Sequence, residues 1–140
     1  MIKFSIPIEP VAKGRPRFHN TGQYVKTYTP KKTRVYENLV AAIATQNAPD
    51  EPWERTVPLY ISINVYRSIP KSWSKKKRNC AIAGSLLPTT RPDLDNYEKA
   101  ISDALDKTGK FFADDSQICI SMTRKYYSDE PRIDVEIGEI

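Results

Sequence analysis

Residues 91–107, RPDLDNYEKAISDALDK, decide how the rest of the chain is read. Leu94, Tyr97, Ile101, Ala104 and Leu105 recur at helical spacing and lay an apolar stripe along one face. Asp95, Lys99 and Ser102 or Asp103 fall on another face, one turn apart. Gly109 is a stop signal, so the pattern predicts a helix over Leu94–Thr108. The entrance of this helix carries Asp93 and Asp95 on either side of Leu94, which the apolar stripe would bury and use as an anchor. Just beyond its exit, FFADDSQI carries Asp114 and Asp115. Each acid has an ordinary reading: Asp95 has capping-box spacing to Glu98, and Asp93 follows a proline as turn residues do.

Strand patterns lie on both sides of the helix. Upstream, residues 57–67 (VPLYISINVYR) alternate Leu59, Ile61, Ile63 and Val65 with polar or aromatic residues. Downstream, residues 117–127 alternate Ile118, Ile120 and Met122. A turn at SDEP then leads to RIDVEIGEI with Ile133, Val135 and Ile137, which predicts an antiparallel C-terminal hairpin. At the other end, residues 2–8 alternate Ile2, Phe4, Ile6 and Ile8. A Gly/Pro-rich basic loop follows, with room for a small hairpin around Asn20–Gly22. Residues after Pro30 predict a helix with Val35, Leu39 and Ile43 on its apolar stripe, ended by Asn47, Pro49 and Pro52. Ser74 is placed to cap a short helix that ends at Gly84. The order β-α-β-(α)-α-β-β predicts a single α+β domain over residues 1–140: a four-stranded mixed sheet with two to three helices packed on it.

Composition bounds the rest. The chain has 140 residues, 39% hydrophobic and 28% charged, which suits one globular domain. No apolar run is long enough to cross a membrane and the N-terminus lacks a signal-peptide core, so the expectation is cytoplasmic, with no membrane partner. Cys80 and Cys119 have no second cysteine or histidine at metal-ligand spacing and read as reduced, partly buried thiols. The net charge is +5, but its distribution is uneven. Residues 3–34 hold eight Lys/Arg and one acid, and residues 67–91 hold bases and no acid, whereas acids concentrate over residues 93–115.

This is a basic protein with one acidic pocket, not a uniformly mixed surface. Carboxylates gathered at one edge repel each other unless a cation sits among them, and hard oxygen ligands suit Mg²⁺, or Mn²⁺ in its place. Such a site activates water and shields a phosphodiester. Lys99, one turn beyond Asp95, either forms an intrahelical ion pair or steadies the charge of the transition state. The basic loop (Lys13, Arg15, Arg17), the start of the next helix (Lys31, Lys32, Arg34) and the run Lys75, Lys76, Lys77 and Arg78 beside Trp73 are candidates for phosphate contacts. Tyr24 and Tyr28 are candidates for stacking on exposed bases. Phe111 and Phe112 read as core, with a wedge at a branch point as the other option.

The run Asp93-Leu94-Asp95-Asn96, Lys99, Asp103-Ala104-Leu105, Gly109 and Asp114-Asp115 before Gln117 resembles the central motif of the RusA family of Holliday junction resolvases. PVAKGRPRF and YTPKKTRVYE resemble phage and prophage members, so the resemblance covers most of the chain. It implies a Mg²⁺-dependent endonuclease of DNA recombination and repair that cuts four-way junctions as a symmetric homodimer and leaves 5′-phosphate and 3′-hydroxyl ends. It maps the metal-binding carboxylates onto Asp93, Asp95 and one of the doublet, and the catalytic lysine onto Lys99. The stretch from Gly109 to the doublet is about one residue longer than in the best-known member. That leaves open which member of the doublet is the third ligand; Asp115 is favoured, with Asp114 close behind. Two alternatives stand beside this reading: a restriction-type metal-dependent nuclease, suggested by Pro92-Asp93, and a non-catalytic basic DNA-binding protein.

Overall fold

A computed structural model describes residues 1–13, 17–20, 25–28 and 31–140, with side chains left undescribed between 14 and 30. The elements are β1 (Ile2–Ile6), β2 (Arg17–Asn20), β3 (Val25–Tyr28), α1 (Lys31–Gln46), β4 (Leu59–Ser68), α2 (Lys75–Ile82), α3 (Leu94–Thr108), β5 (Ile118–Ser128) and β6 (Arg132–Glu139). β2 and β3 form the small antiparallel hairpin expected around Asn20–Gly22. The other four strands make one mixed sheet in the order β1-β6-β4-β5. The expected α+β class and four-stranded mixed sheet are what the chain adopts.

β4 and β6 are the inner strands, and the alternation of β4 suits that place. Leu59, Ile61, Ile63 and Val65 are all buried, facing the helices. β6 contributes Ile133, Val135 and Ile137 to the same layer, and β1 contributes Phe4 and Ile6. α3 closes the layer with Tyr97, Ala100, Ile101, Ala104 and Leu105, and packs chiefly against α1. Gly109 ends α3 at φ +62°, a left-handed conformation that glycine adopts without a Cβ clash. Phe111 and Phe112 are both buried, and a bridge from Trp53 to Phe112 holds the chain that leads to the acidic doublet. The core reading holds for these two rings.

Five expectations need correction. β5 and β6 run antiparallel with a short link, but β4 lies between them: β5 pairs with it in parallel and β6 antiparallel, so the two C-terminal strands do not bond to each other. In β5 the register shifts by one residue between Leu59 and Tyr60, so Ile118 faces the core while Ile120 and Met122 turn to the open face of the sheet. In α1 the buried positions are Thr33, Tyr36, Val40 and Ala44, whereas Val35 and Leu39 are exposed. The helix is rotated by about one residue (~100°) from the expected stripe because Tyr36, not Val35, enters the core. Leu94 is 40% exposed and does not anchor the acids. Cys80 and Cys119 are free and exposed rather than partly buried.

Candidate active site

Asp93 occupies the N-cap position of α3 with extended backbone (φ −70°, ψ 153°), yet its carboxylate makes no capping hydrogen bond. A carboxylate at that position ordinarily satisfies a free N–H of the first turn. Asp95 follows within the first turn. Among the described residues neither Asp93 nor Asp95 enters an ion pair. The loop that delivers Asp93 is held from below. Lys125 Nζ donates to the carbonyls of Thr90 and Pro92 (3.1 Å each), and Arg67 Nη1 donates to the Thr90 carbonyl (3.2 Å) and hydroxyl (3.3 Å). Sequence patterns assign nothing to Arg67 or Lys125, because only the parallel β4–β5 register brings them under this loop.

Lys99 pairs with Asp103 at 3.1 Å, one turn along α3, and its side chain stays 61% exposed. Both readings of the sequence survive there: the ion pair exists, and the ammonium still reaches solvent. Asp103 is shared with Lys13, whose Nζ lies 3.2 Å from Asp103 and 2.9 Å from Glu37 of α1. The Lys13 backbone N–H also donates to the Asn96 carbonyl at 2.9 Å. Burial opposes the Lys13 ammonium, and its bonds to Glu37 and Asp103 outweigh that, holding its pKa above the ordinary lysine value. Lys13 is therefore a tie between α1, α3 and the N-terminal segment, not the free phosphate contact that the basic loop suggests.

The two members of the doublet do different things. Asp114 caps the 3₁₀ turn Asp115–Gln117, accepting from the Ser116 N–H at 3.0 Å. Gln117 completes the capping box: its Oε1 accepts from the N–H groups of Ala113 (2.8 Å) and Asp114 (3.2 Å). Its Nε2 donates to the carbonyls of Glu54 (2.9 Å) and Val57 (3.2 Å). The bond from the Ser116 N–H, then the one from Asp115, push the Asp114 carboxyl below its usual range. Asp115 goes the other way. Its hydrogen bond with Asp114 raises it first, burial and the charges of Asp106 and Asp114 add to that, and Lys99 opposes. Asp115 thus lies within electrostatic reach of Lys99 and Asp106 of α3, among like charges that resist its ionisation. Among the described residues no three carboxylate, imidazole or thiol side chains come together as a ready-made metal cluster.

The remaining basic candidates are placed as follows. Lys31, Lys32 and Arg34 are exposed on α1, whose first turn holds no acid to balance them. Lys75, Lys76 and Lys77 are exposed at the start of α2, capped by Ser74 through the Lys77 N–H. Lys77 Nζ also sits 4.0 Å above the Trp73 ring, and Trp73 packs edge-on against Tyr127. Arg15 and Tyr24 lie outside the described residues, and the side chains of Arg17 and Tyr28 lie outside what is described.

The model of the endodeoxyribonuclease RusA family matches residues 7–138. The chain belongs to the RusA family. Of the motif acids, Asp93 and Asp95 lie at the start of α3, and the doublet lies in the turn that leads into β5. An uncharacterized protein of Bacillus subtilis strain 168, YqaN, is 42% identical over 141 residues, covering 99% of this chain and 96% of its own. A crossover junction endodeoxyribonuclease of Lactococcus phage r1t is 34% identical over 97 residues, covering 68% of this chain and 65% of its own. Among the described residues no helix is long and apolar enough to cross a membrane.

Proposed function

We propose that this protein is a Mg²⁺-dependent endonuclease that hydrolyses phosphodiester bonds at four-way DNA junctions, acting as a symmetric homodimer in DNA recombination and repair. One observation carries the reading. In the family motif, Asp93 stands where a helix cap belongs, makes no cap bond and, among the described residues, enters no ion pair. Asp95 and Asp115 are the other two carboxylates of the set. Asp115 is favoured over Asp114 because Asp114 is consumed by its turn.

Asp93 and Asp95 offer a hard divalent cation two carboxylates at the start of α3, and Asp115 is crowded by like charge that a cation would relieve. Bound there, the ion supplies a more acidic water and neutralises charge on the phosphoryl oxygens. The chain supplies the rest. Lys99, exposed but steered by Asp103, faces the charge that builds on the non-bridging oxygens as water attacks phosphorus. The P–O3′ bond breaks, leaving a 3′-hydroxyl and a 5′-phosphate. The exposed lysines of α1 and α2 hold the arms of the junction through their phosphates. A two-fold enzyme matches a two-fold junction and cuts strands of like polarity.

The test is a labelled four-way junction beside plain duplex, each with Mg²⁺ and with EDTA. Metal-dependent cutting of the junction alone is expected. Equal cutting of duplex would favour a restriction-type nuclease, and binding without cutting under any divalent ion would favour a non-catalytic DNA-binding protein. Asp95→Asn is expected to abolish cleavage and keep junction binding; loss of both would make Asp95 a structural cap.

A further inference from the structure

Arg67 and Lys125 are cations spent on backbone carbonyls. They sit on neighbouring parallel strands, and Lys125 pairs in register with buried Val65, so it faces the helix layer. Their three acceptors are the Thr90 carbonyl, the Thr90 hydroxyl and the Pro92 carbonyl, all at 3.1–3.3 Å. The Thr90 carbonyl takes one bond from each cation, which uses both of its lone pairs. The Pro92 carbonyl belongs to the peptide plane that enters Asp93, so fixing it fixes the direction in which Asp93 leaves the loop. Among the described residues, neither cation is ion-paired to a carboxylate.

We infer that Arg67 and Lys125 are positioning residues for the metal site, a clamp that aims Asp93 through its backbone without bonding its carboxylate. The inference rests on the reading of Asp93 as a metal ligand. A lysine bonded directly to that carboxylate would orient it too, but would compete with the divalent ion for the same oxygens. Bonding the preceding carbonyls fixes the ligand and adds positive charge nearby without occupying it. The platform is suitable because β4 is an inner strand, paired on both sides, and β5 is hydrogen-bonded along its length to it. Groups that orient a ligand from behind typically change metal affinity by about 10- to 100-fold when removed. A merely structural clamp would change thermal stability and leave the metal affinity of the folded protein alone.

The experiment is a titration of the full chain with Mn²⁺, read by the loss of the free-ion EPR signal, beside the Mg²⁺ dependence of junction cleavage. Lys125→Met keeps the aliphatic stem and removes the donors. It is expected to weaken Mn²⁺ binding by about tenfold or more and to raise the half-saturating Mg²⁺ concentration in parallel. Lys125→Arg is expected to restore most of both. Circular dichroism checks that the variant is folded; if Lys125→Met does not fold, Arg67→Gln, which removes only the contacts to Thr90, decides the matter. Unchanged Mn²⁺ affinity in a folded variant, with Asp93→Asn weakened, would overturn the clamp and leave the site reading intact. Wild-type Mn²⁺ affinity in Asp93→Asn would overturn the site reading and the clamp with it.

Discussion

Replacing Lys13 by methionine separates what the sequence suggests for this residue from what the fold does with it. The loop composition makes Lys13 a phosphate contact, whereas the fold locks it between Glu37 and Asp103 at 2.9 and 3.2 Å. The three side chains are only 16–22% exposed. A hydrogen bond to a charged group contributes about 1.5–3 kcal/mol where it is shielded, and an exposed ion pair about 0–1 kcal/mol. Asp103 keeps Lys99 as a partner in the variant, while Glu37 is left without its lysine. A loss of about 2 kcal/mol follows, between the two limits. Unfolding entropy for 140 residues is about 0.3 kcal/mol/K, so Tm should fall by about 7 °C. The raised Lys13 pKa sets the pH range: the contribution is complete below the unfolded value and is lost only as pH rises through the folded value, in strong alkali. The deficit should therefore be constant around neutrality. Calorimetry gives Tm, and fluorescence anisotropy of a labelled junction gives binding against salt. The slope of log affinity on log salt should stay unchanged, since a free lysine on a phosphate would contribute about 0.9. A Tm that does not move, with a slope that drops by about one, would refute the structural assignment.

Lys75→Ala with Lys76→Ala should give the opposite pattern, lowering the salt slope by about two at unchanged Tm, because both side chains are exposed. Gln117→Ala removes four hydrogen bonds from a buried side chain and should cost about 3 kcal/mol in urea unfolding, for a group 6% exposed. Cleavage should fail on acidification at a higher pH than an ordinary aspartate would give, because the Asp115 carboxyl is pushed up by Asp114 and must ionise to bind metal. Asp114→Ala removes that partner and should move the acid limb of the pH–rate profile to lower pH, at a cost of about 1 kcal/mol for the lost cap. Since ionising Asp115 weakens the fold as pH rises through its raised pKa, Asp115→Asn should melt higher than wild type at pH 7 in EDTA, by calorimetry.

The helix α3 was legible because two signals agree there: a 3.6-residue apolar period and a glycine at its end. Its bounds and inward face come out as the sequence predicts, apart from Leu94. The face of α1 was not, because Val35 and Tyr36 are adjacent and both apolar, and periodicity cannot choose between them; packing against α3 does. β5 was legible as a strand but not in orientation, since one extra residue at its start turns Ile120 and Met122 outward. The short link after β5 suggested a hairpin, because a turn of that length usually joins paired strands. The pairing of both strands with β4 depends on partners more than 50 residues away, which a local pattern cannot carry. The candidate ligands were visible because they lie within one motif. The cations behind them were not: Lys125 reaches residues 33 and 35 positions back in the chain.

The crowding of acids in a basic chain resolves into two populations. Glu37 and Asp103 are bound to Lys13, Glu98 accepts from Ser121, and Asp114 caps its turn. Each of these is committed to holding the fold together. Asp93 and Asp95 form no ion pair among the described residues, and Asp115 resists ionisation beside Asp106 and Asp114. The cations divide too: Lys13 ties α1 to α3, Arg67 and Lys125 hold the loop that leads into Asp93, and the exposed lysines of α1 and α2 remain available to a polyanion. Asp103 joins the two populations, because it holds Lys13 on the structural side and Lys99 on the candidate catalytic side. A fold that needed its acids only for caps and ties would have no use for Asp93 at a cap position without a cap bond. A carboxylate with no cap bond and, among the described residues, no ion pair, above a backbone fixed by two cations, makes physical sense when a divalent ion supplies the missing positive charge.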